Sequence, residues 1–184
     1  LANSAAMVGA ALGATFTGFA MTLLFGSALV DLIGMKRMLL LSALGYIAGA
    51  LGLLAASMMP VTGVVETVIL VSLLLTGLGW GAVEAASNPM VAALYPEEKT
   101  HRLNILHAWW PAGIVVGGLM GIAITALGLP WKLNMLVLML PAMVLARMVS
   151  TWIFPVTARV AAGVSYGDML VELIKRPLFR VFWV

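Results

Sequence analysis

The chain has 184 residues, of which 63% are hydrophobic and 9% are charged, with a formal net charge of +3. An ordinary globular domain is about 45–50% apolar and about 25% charged, because its surface must stay in water. Seven acidic and ten basic residues cannot cover such a surface, which excludes a soluble enzyme, a nucleic-acid-binding protein and a disordered tail, and favours an integral membrane protein.

Five apolar stretches are long enough to cross a membrane, since a helical crossing needs about 20 mostly apolar residues. Barrel strands would be about 10 residues long and would alternate polar with apolar positions, a pattern that these stretches lack. We therefore predict an all-α membrane protein with five transmembrane helices. The predicted helices occupy residues 5–30, 38–59, 65–95, 103–131 and 133–158.

The basic residues are distributed unequally among the connections between these stretches. Eight of the ten lie in the first connection, in the third connection and after the fifth stretch. The other two are Lys132 in the fourth connection and Arg147 inside the fifth stretch. Because basic residues collect on the cytoplasmic side of membrane proteins, we expect Leu1 outside and Val184 inside, in a multi-pass protein of the cytoplasmic membrane. The eight residues assigned to the cytoplasm are Lys36, Arg37, Lys99, Arg102, Arg159, Lys175, Arg176 and Arg180.

Small residues recur at a spacing of four within the stretches. Such spacing favours close packing of helices in lipid, because it lets two backbones approach each other. The pattern predicts a tightly packed bundle instead of a single membrane anchor. The glycines concerned are Gly9 and Gly13, Gly45 and Gly49, Gly77 and Gly81, and Gly113, Gly117 and Gly121.

The segment after the fifth stretch has a different pattern. Ser165 and Asp168 fit a capping box, in which a hydroxyl at the N-cap is followed three residues later by an acid. Apolar residues then mark one face and charged residues the other, which predicts a short amphipathic helix at the cytoplasmic surface. We expect a partial transmembrane bundle over 1–158, a cytoplasmic linker containing this helix over 159–178, and the start of another transmembrane helix over 179–184.

The first connection carries a group of small and charged residues. As a short basic turn it would fix the topology and do nothing more. Its pattern nevertheless resembles the loop between helices two and three of the major facilitator superfamily, with Met35 added before the basic pair. The resemblance implies a conformational latch, in which a carboxylate meets a helix N-terminus of the other half of a transporter. The latch residues are Gly26, Asp31, Gly34, Lys36 and Arg37.

The third stretch contains an acid in its interior. Glu84 lies about 16 Å along the helix from Tyr95, which places it near the middle of the membrane. Acids at that depth usually face a bundle interior or a wet cavity, because an ionised carboxylate in lipid costs at least a few kcal/mol. Trp80 and Asn88 share its helix face, and Pro89 is expected to kink the helix. Alternatively, a protonated Glu84 bonds to a neighbouring helix without any function.

The fourth stretch adds polar and aromatic residues at a spacing of three. Asn104, His107 and Trp110 can lie on one face, where an indole and hydrogen-bonding groups would suit a sugar, whose ring has apolar faces and a polar rim. Trp110 could instead be an anchor at the membrane interface. His107 could equally be a packing residue with a satisfied side chain.

Two of these motifs together resemble one transporter family. Glu84-Ala-Ala-Ser-Asn88-Pro89 and Leu103-Asn104-x-x-His107 are similar to helices four and five of the fucose–galactose–glucose:proton symporters, although many members have glutamine at the position of His107. The resemblance implies a twelve-helix transporter of two six-helix halves. This chain would supply helices two to six, and the first helix and the C-terminal half would lie outside it.

The function expected from these features is proton-coupled transport of a small polar solute, a monosaccharide, by alternating access in a lipid bilayer. Glu84 is the expected proton-coupling acid. A sodium-coupled or uncoupled carrier and a non-transporting interaction module stay open as alternatives. An enzyme is disfavoured because the chain has no cysteine and no GxSxG or HExxH motif, and we expect no cofactor, metal or nucleic acid. The expected solute-binding residues are Trp80, Glu84, Asn88, Asn104, His107 and Trp110.

Overall fold

The computed structural model of the protein describes residues 2–60 and 62–175. Within these ranges the secondary structure is entirely helical, and the first five helices are long and apolar enough to cross a membrane. The predicted all-α membrane fold is therefore confirmed. The helices are α1 (Ala2–Ile33), α2 (Met35–Ala56), α3 (Gly63–Leu94), α4 (Lys99–Ala126), α5 (Lys132–Thr151), α6 (Ala158–Ala161) and α7 (Tyr166–Lys175).

The helix ends differ from the prediction where glycine or proline controls the backbone. Gly34 separates α1 from α2 with a φ of 86°, a conformation that glycine adopts without a steric penalty. Gly128, with a φ of 65°, turns the chain after α4, which ends before the predicted residue 131. The predicted end of α5 at residue 158 is also wrong: the backbone is extended from Trp152, ahead of Pro155, which lacks the N–H that a helix needs.

The closest packing in the bundle joins α3 to both α1 and α2. A Cβ added at Gly81 would lie 2.6 Å from the Phe19 carbonyl oxygen, and one added at Gly45 would lie 2.8 Å from that of Leu75. The glycines therefore allow the backbones to touch, as the four-residue spacing predicts for α2 and α3. A Cβ added at any of the remaining glycines with this spacing would meet no atom within 4 Å, so the prediction of close packing is wrong for these positions on α1 and α4. They are Gly9, Gly13, Gly113, Gly117 and Gly121.

A buried apolar cluster lies where the α1–α2 turn meets the C-terminal halves of α3 and α5. Its position matters for function, because the cluster fixes the segment of α3 that follows Trp80. The cluster consists of Val30, Met35, Met38, Leu39, Ala82, Ala85, Ala86 and Val149.

Helix α4 is attached to the bundle much more loosely than α3. It makes few contacts with α3 and α5, and Ile124 is its buried residue. Proline lies inside α3 at Pro89 and inside α4 at Pro111, and both helices continue through it.

Two short helices follow α5. The Ser165 hydroxyl accepts a hydrogen bond from the Asp168 N–H at 3.1 Å and donates to its carboxylate at 2.6 Å, which confirms the predicted start of α7. Helix α6 was not predicted; the Thr157 hydroxyl caps it by accepting from the Val160 N–H. The further helix expected over 179–184 lies outside the described residues.

Candidate functional site

A cleft of about 360 Å³ opens among α1, α3 and α4, and we call it the aromatic cleft. The spacing of four on α3 and of three on α4 brings two residues of each helix to it, as the sequence predicts. Helix α1 supplies the remaining two. The lining residues are Phe16, Phe19, Trp80, Glu84, His107 and Trp110.

On the α3 side of the cleft, Glu84 is held by a residue of its own helix. The Asn88 amide donates to Glu84 Oε1 at 3.2 Å, one turn further along α3. The Asn88 amide oxygen is buried and accepts no hydrogen bond from any residue that the structure describes. The Glu84 side chain remains 30% exposed, so the carboxylate can reach the cleft. Asn88 therefore acts on the cleft through Glu84.

On the α4 side, two residues face partners on α3. His107 Nδ1 lies 3.8 Å from Glu84 Oε1, a separation that permits charge interaction but exceeds a hydrogen bond. The rings of Trp80 and Trp110 are 6.1 Å apart between centroids and inclined by 16°. Because consecutive helices joined by a short turn run antiparallel, one turn toward the C-terminus on α3 corresponds to one turn toward the N-terminus on α4. The two contacts are therefore adjacent.

Three residues of the site were missed in the sequence. Phe19 packs on Trp80 with centroids 4.1 Å apart, and Phe16 lies 5.8 Å from the same ring. Tyr46 of α2 lies within electrostatic reach of the Glu84 carboxylate. An aromatic residue in an apolar helix is equally compatible with lipid, so its spacing carries no signal. Tyr46 does carry a signal in the sequence, because a tyrosine hydroxyl inside an apolar helix needs a polar partner.

Asn104 does not belong to the aromatic cleft in this structure. It is exposed and does not line the cleft, although it was expected to share a face with His107 and Trp110. Each step of three residues falls short of a full turn, so Asn104 is rotated by about 120° from Trp110 around a helix of 3.6 residues per turn. The expectation of a shared face was therefore wrong for this residue.

The first connection forms a second polar cluster, separate from the residues that line the aromatic cleft. Arg159 Nε donates to Asp31 Oδ2 at 2.7 Å, and the Thr157 hydroxyl donates to the other carboxylate oxygen. The Asp31 and Arg159 side chains are 10% and 16% exposed. Asp31 was expected to meet another half of a transporter. In this structure its partners come from the segment after α5, because that helix ends early and the chain returns to the α1–α2 turn.

The remaining latch residues lie in different environments. Lys36 Nζ donates to the carbonyl oxygens of Ser150 at 2.9 Å and Trp152 at 3.4 Å, which satisfies acceptors at the end of α5. Arg37 is exposed. Gly26 is buried, and a Cβ there would lie 3.1 Å from the Met38 methyl group. Gly26 is therefore a packing position, whereas Lys36 ties the turn to α5.

Five helices long and apolar enough to cross a membrane define a multi-pass membrane protein. A carboxylate, an imidazole and stacked aromatic rings line a cleft among three of these helices. Polar groups in that position commonly mark the path of a solute or ion. A sequence model of the Major Facilitator Superfamily matches residues 1–184, and the chain belongs to this superfamily. Its members are secondary transporters and are generally not enzymes. Searches among curated proteins and among solved structures returned no match.

Proposed function

We propose that the protein is part of a proton-coupled transporter that carries a monosaccharide across the cytoplasmic membrane by alternating access. Membership of the superfamily supports transport of a solute. The finer assignment is supported by the motifs around Glu84, Asn88 and His107, which are similar to those of the fucose–galactose–glucose:proton symporters. The observation that carries the proposal is the aromatic cleft, where rings and ionisable groups occur together.

The chemistry of the cleft suits a sugar. A pyranose ring presents C–H groups on its faces and hydroxyls at its rim, so it can stack on an indole while it hydrogen-bonds at its edge. Trp80 and Trp110 would supply the stacking surface, and Glu84 and His107 would bond the hydroxyls. The volume of about 360 Å³ lies in the range of small-molecule pockets, about 300–1,000 Å³.

The position of Glu84 suits proton coupling. A carboxyl group in a cleft inside the membrane is either ionised and bonded to a polar partner or protonated and neutral. If the solute prefers one of these states, binding of the solute and binding of the proton affect each other equally, because such coupling is reciprocal. Asn88 would keep the carboxylate oriented toward the solute.

We also propose that the cluster around Asp31 lies on the cytoplasmic side and acts as the conformational latch. This assignment is supported by the Lys and Arg residues that share that side. The segment from residue 159 onward would then be the cytoplasmic linker. The contacts of Asp31 with Thr157 and Arg159 would tie the linker to the bundle.

The proposal is tested by uptake of a panel of labelled monosaccharides into proteoliposomes that contain the full-length protein, with and without an imposed pH difference. Glu84→Gln imitates the protonated carboxyl, so we expect it to retain part of the solute exchange and to lose accumulation driven by the pH difference. Glu66→Gln is the matched control, because Glu66 is an exposed acid in the first turn of the same helix.

Three results of the same assay would contradict the proposal. Accumulation by Glu84→Gln equal to the unaltered protein would remove Glu84 as the coupling acid. Uptake that responds to a sodium gradient, and not to pH, would favour the sodium-coupled carrier. A panel in which no monosaccharide is transported would reject the solute class.

A further inference from the structure

We propose that the proton exchanged by this transporter is held on the His107 imidazole, with the Glu84 carboxylate as its counter-ion. The two residues then form the coupling unit together. The inference rests on the proposed proton-coupled transport. It changes the role of His107 from a hydrogen-bonding residue for the solute to the proton carrier, and the role of Glu84 from proton carrier to counter-ion.

The geometry isolates these two residues as a pair. His107 Nδ1 approaches the same Glu84 oxygen, Oε1, that receives the Asn88 amide. Phe16 and Phe19 on α1, which line the cleft with Glu84, do not titrate, and the group on α2 that interacts electrostatically with Glu84 is the Tyr46 phenol. Within residues 2–60 and 62–175, the basic group that Glu84 meets is therefore His107.

The chemistry of the two side chains decides where the proton resides. Histidine is the side chain that most readily exchanges a proton near neutral pH. A carboxylate beside it can act as the counter-ion of the charged ring, so the two side chains have separate roles in one unit.

The pair also differs in net charge between its two states. With a proton on His107 the pair is an imidazolium and a carboxylate and is neutral overall; without it, the pair carries one negative charge. A neutral pair is better tolerated inside a membrane than a lone carboxylate. The proton enters from water on one side and leaves to water on the other, and no other bond changes.

The pair is placed to respond to the solute. Glu84 lies one turn from Trp80, and His107 lies one turn from Trp110, so a solute on the stacked rings is next to both charges. A solute hydroxyl that donates to Glu84 would compete with the imidazolium for the same carboxylate. Binding of the solute would therefore change how firmly the proton is held.

The test compares three variants of the full-length protein in proteoliposomes. His107→Gln keeps a hydrogen-bonding amide but cannot take up a proton. We expect the midpoint of the pH dependence of uptake to move to lower pH in this variant, because the group that would hold the proton has been replaced by an amide. Glu84→Gln is expected to lose accumulation. His101→Gln is the control, because His101 is an exposed histidine in the first turn of the same helix and does not line the cleft.

A spectroscopic measurement tests the inference independently of transport. Nitrogen NMR of histidine-labelled protein in nanodiscs, assigned with His107→Gln or His107→Asn, is expected to show the His107 ring changing protonation over the pH range in which uptake changes. In Glu84→Gln the pH range of His107 protonation is expected to differ from the pH range in which uptake changes in the unaltered protein.

The outcomes distinguish the inference from the proposed function. If His107→Gln keeps the original pH profile while Glu84→Gln loses accumulation, the inference is overturned and coupling through Glu84 alone stands. A His107 signal that is unaffected by Glu84→Gln also overturns it, even where a His107 variant fails to fold. If Glu84→Gln and His107→Gln both accumulate solute as the unaltered protein does, the proposed proton coupling fails, and the inference fails with it.

Discussion

The indole rings of Trp80 and Trp110 lie nearly parallel, with centroids 6.1 Å apart, although the helices that carry them otherwise make few contacts. Together with the approach of His107 to Glu84, this stack is a main attachment of α4 to α3. Helix α1 is joined to α3 differently, by direct backbone contact at Gly18, Gly77 and Gly81. A solute that enters the aromatic cleft would therefore act on one of the few attachments of α4, which is the most loosely packed of the helices α1 to α5.

Removing the outer ring of this stack should weaken solute binding. We expect Trp110→Ala to raise the apparent KM for the transported solute about three- to tenfold, because an aromatic contact contributes about 0.5–1.5 kcal/mol beyond its buried area. Trp109→Ala is the matched control, since Trp109 is the neighbouring residue, is 72% exposed and does not line the cleft. Initial rates of uptake at a series of solute concentrations give the apparent KM of both variants. Equal effects of the two variants would show that the stack has no role in binding.

The two kinds of glycine on the bundle should respond in opposite directions to a methyl group. Gly77→Ala places a Cβ against the Thr15 carbonyl oxygen and should destabilise the protein, at a cost of about 1–3 kcal/mol for an overpacked position. Gly113→Ala meets open space and should be neutral or stabilising by up to about 1 kcal/mol, because alanine is the better helix former. Thermal unfolding of the purified protein in detergent measures the difference. A lower melting temperature for Gly113→Ala than for Gly77→Ala would contradict this packing.

The topology of the first five helices can be tested with single cysteines, because the chain has none of its own. We expect cysteines introduced at Thr62 and Thr100 to react with a membrane-impermeant reagent from opposite sides of the membrane. Thr62 lies in the turn before α3 and Thr100 in the first turn of α4, so the two positions are at opposite ends of one crossing. Labelling of both positions from the same side would refute the assigned orientation.

The local spacing of residues along the helices was enough to predict the part of the cleft that α3 and α4 supply. Both helices are regular, so residues four apart on α3 and three apart on α4 lie on one face, and the short connection through Pro96 makes the two faces neighbours. Glu84 and His107 were recognisable because a titratable group inside an apolar helix is costly there.

The parts that could not be predicted depend on tertiary contacts. Phe16 and Phe19 lie in an apolar run in which lipid and protein neighbours look alike. The partner of Asp31 is set by where α5 ends and by the return of the chain to the α1–α2 turn, which no local pattern specifies. The open glycines of α4 have the same spacing as the packed glycines of α3, so spacing alone does not tell whether a helix partner is present.

The contact between Asp31 and Arg159 gives the last test, because it separates a latch from a solute-binding residue. We expect Asp31→Asn to slow transport while the affinity for the solute stays within a few-fold, since Asp31 does not line the cleft. The variant should also lower stability, because it leaves the Arg159 guanidinium of a largely buried ion pair without its partner, at a cost of up to about 3 kcal/mol. Asp168→Asn is the control, since that carboxylate is exposed and caps only α7.

A second pair of variants separates slow transport from simple unfolding. Arg159→Gln removes the other charge of the pair, and the double variant Asp31→Asn with Arg159→Gln leaves no buried charge without a partner. If the ion pair is the origin of the effect, the double variant should cost less than the sum of the two single variants. Thermal unfolding and uptake rates measured on the same preparations give the comparison. Additive losses, or an affinity for the solute that falls more than about tenfold in Asp31→Asn, would show that Asp31 acts independently of Arg159 and contributes to binding.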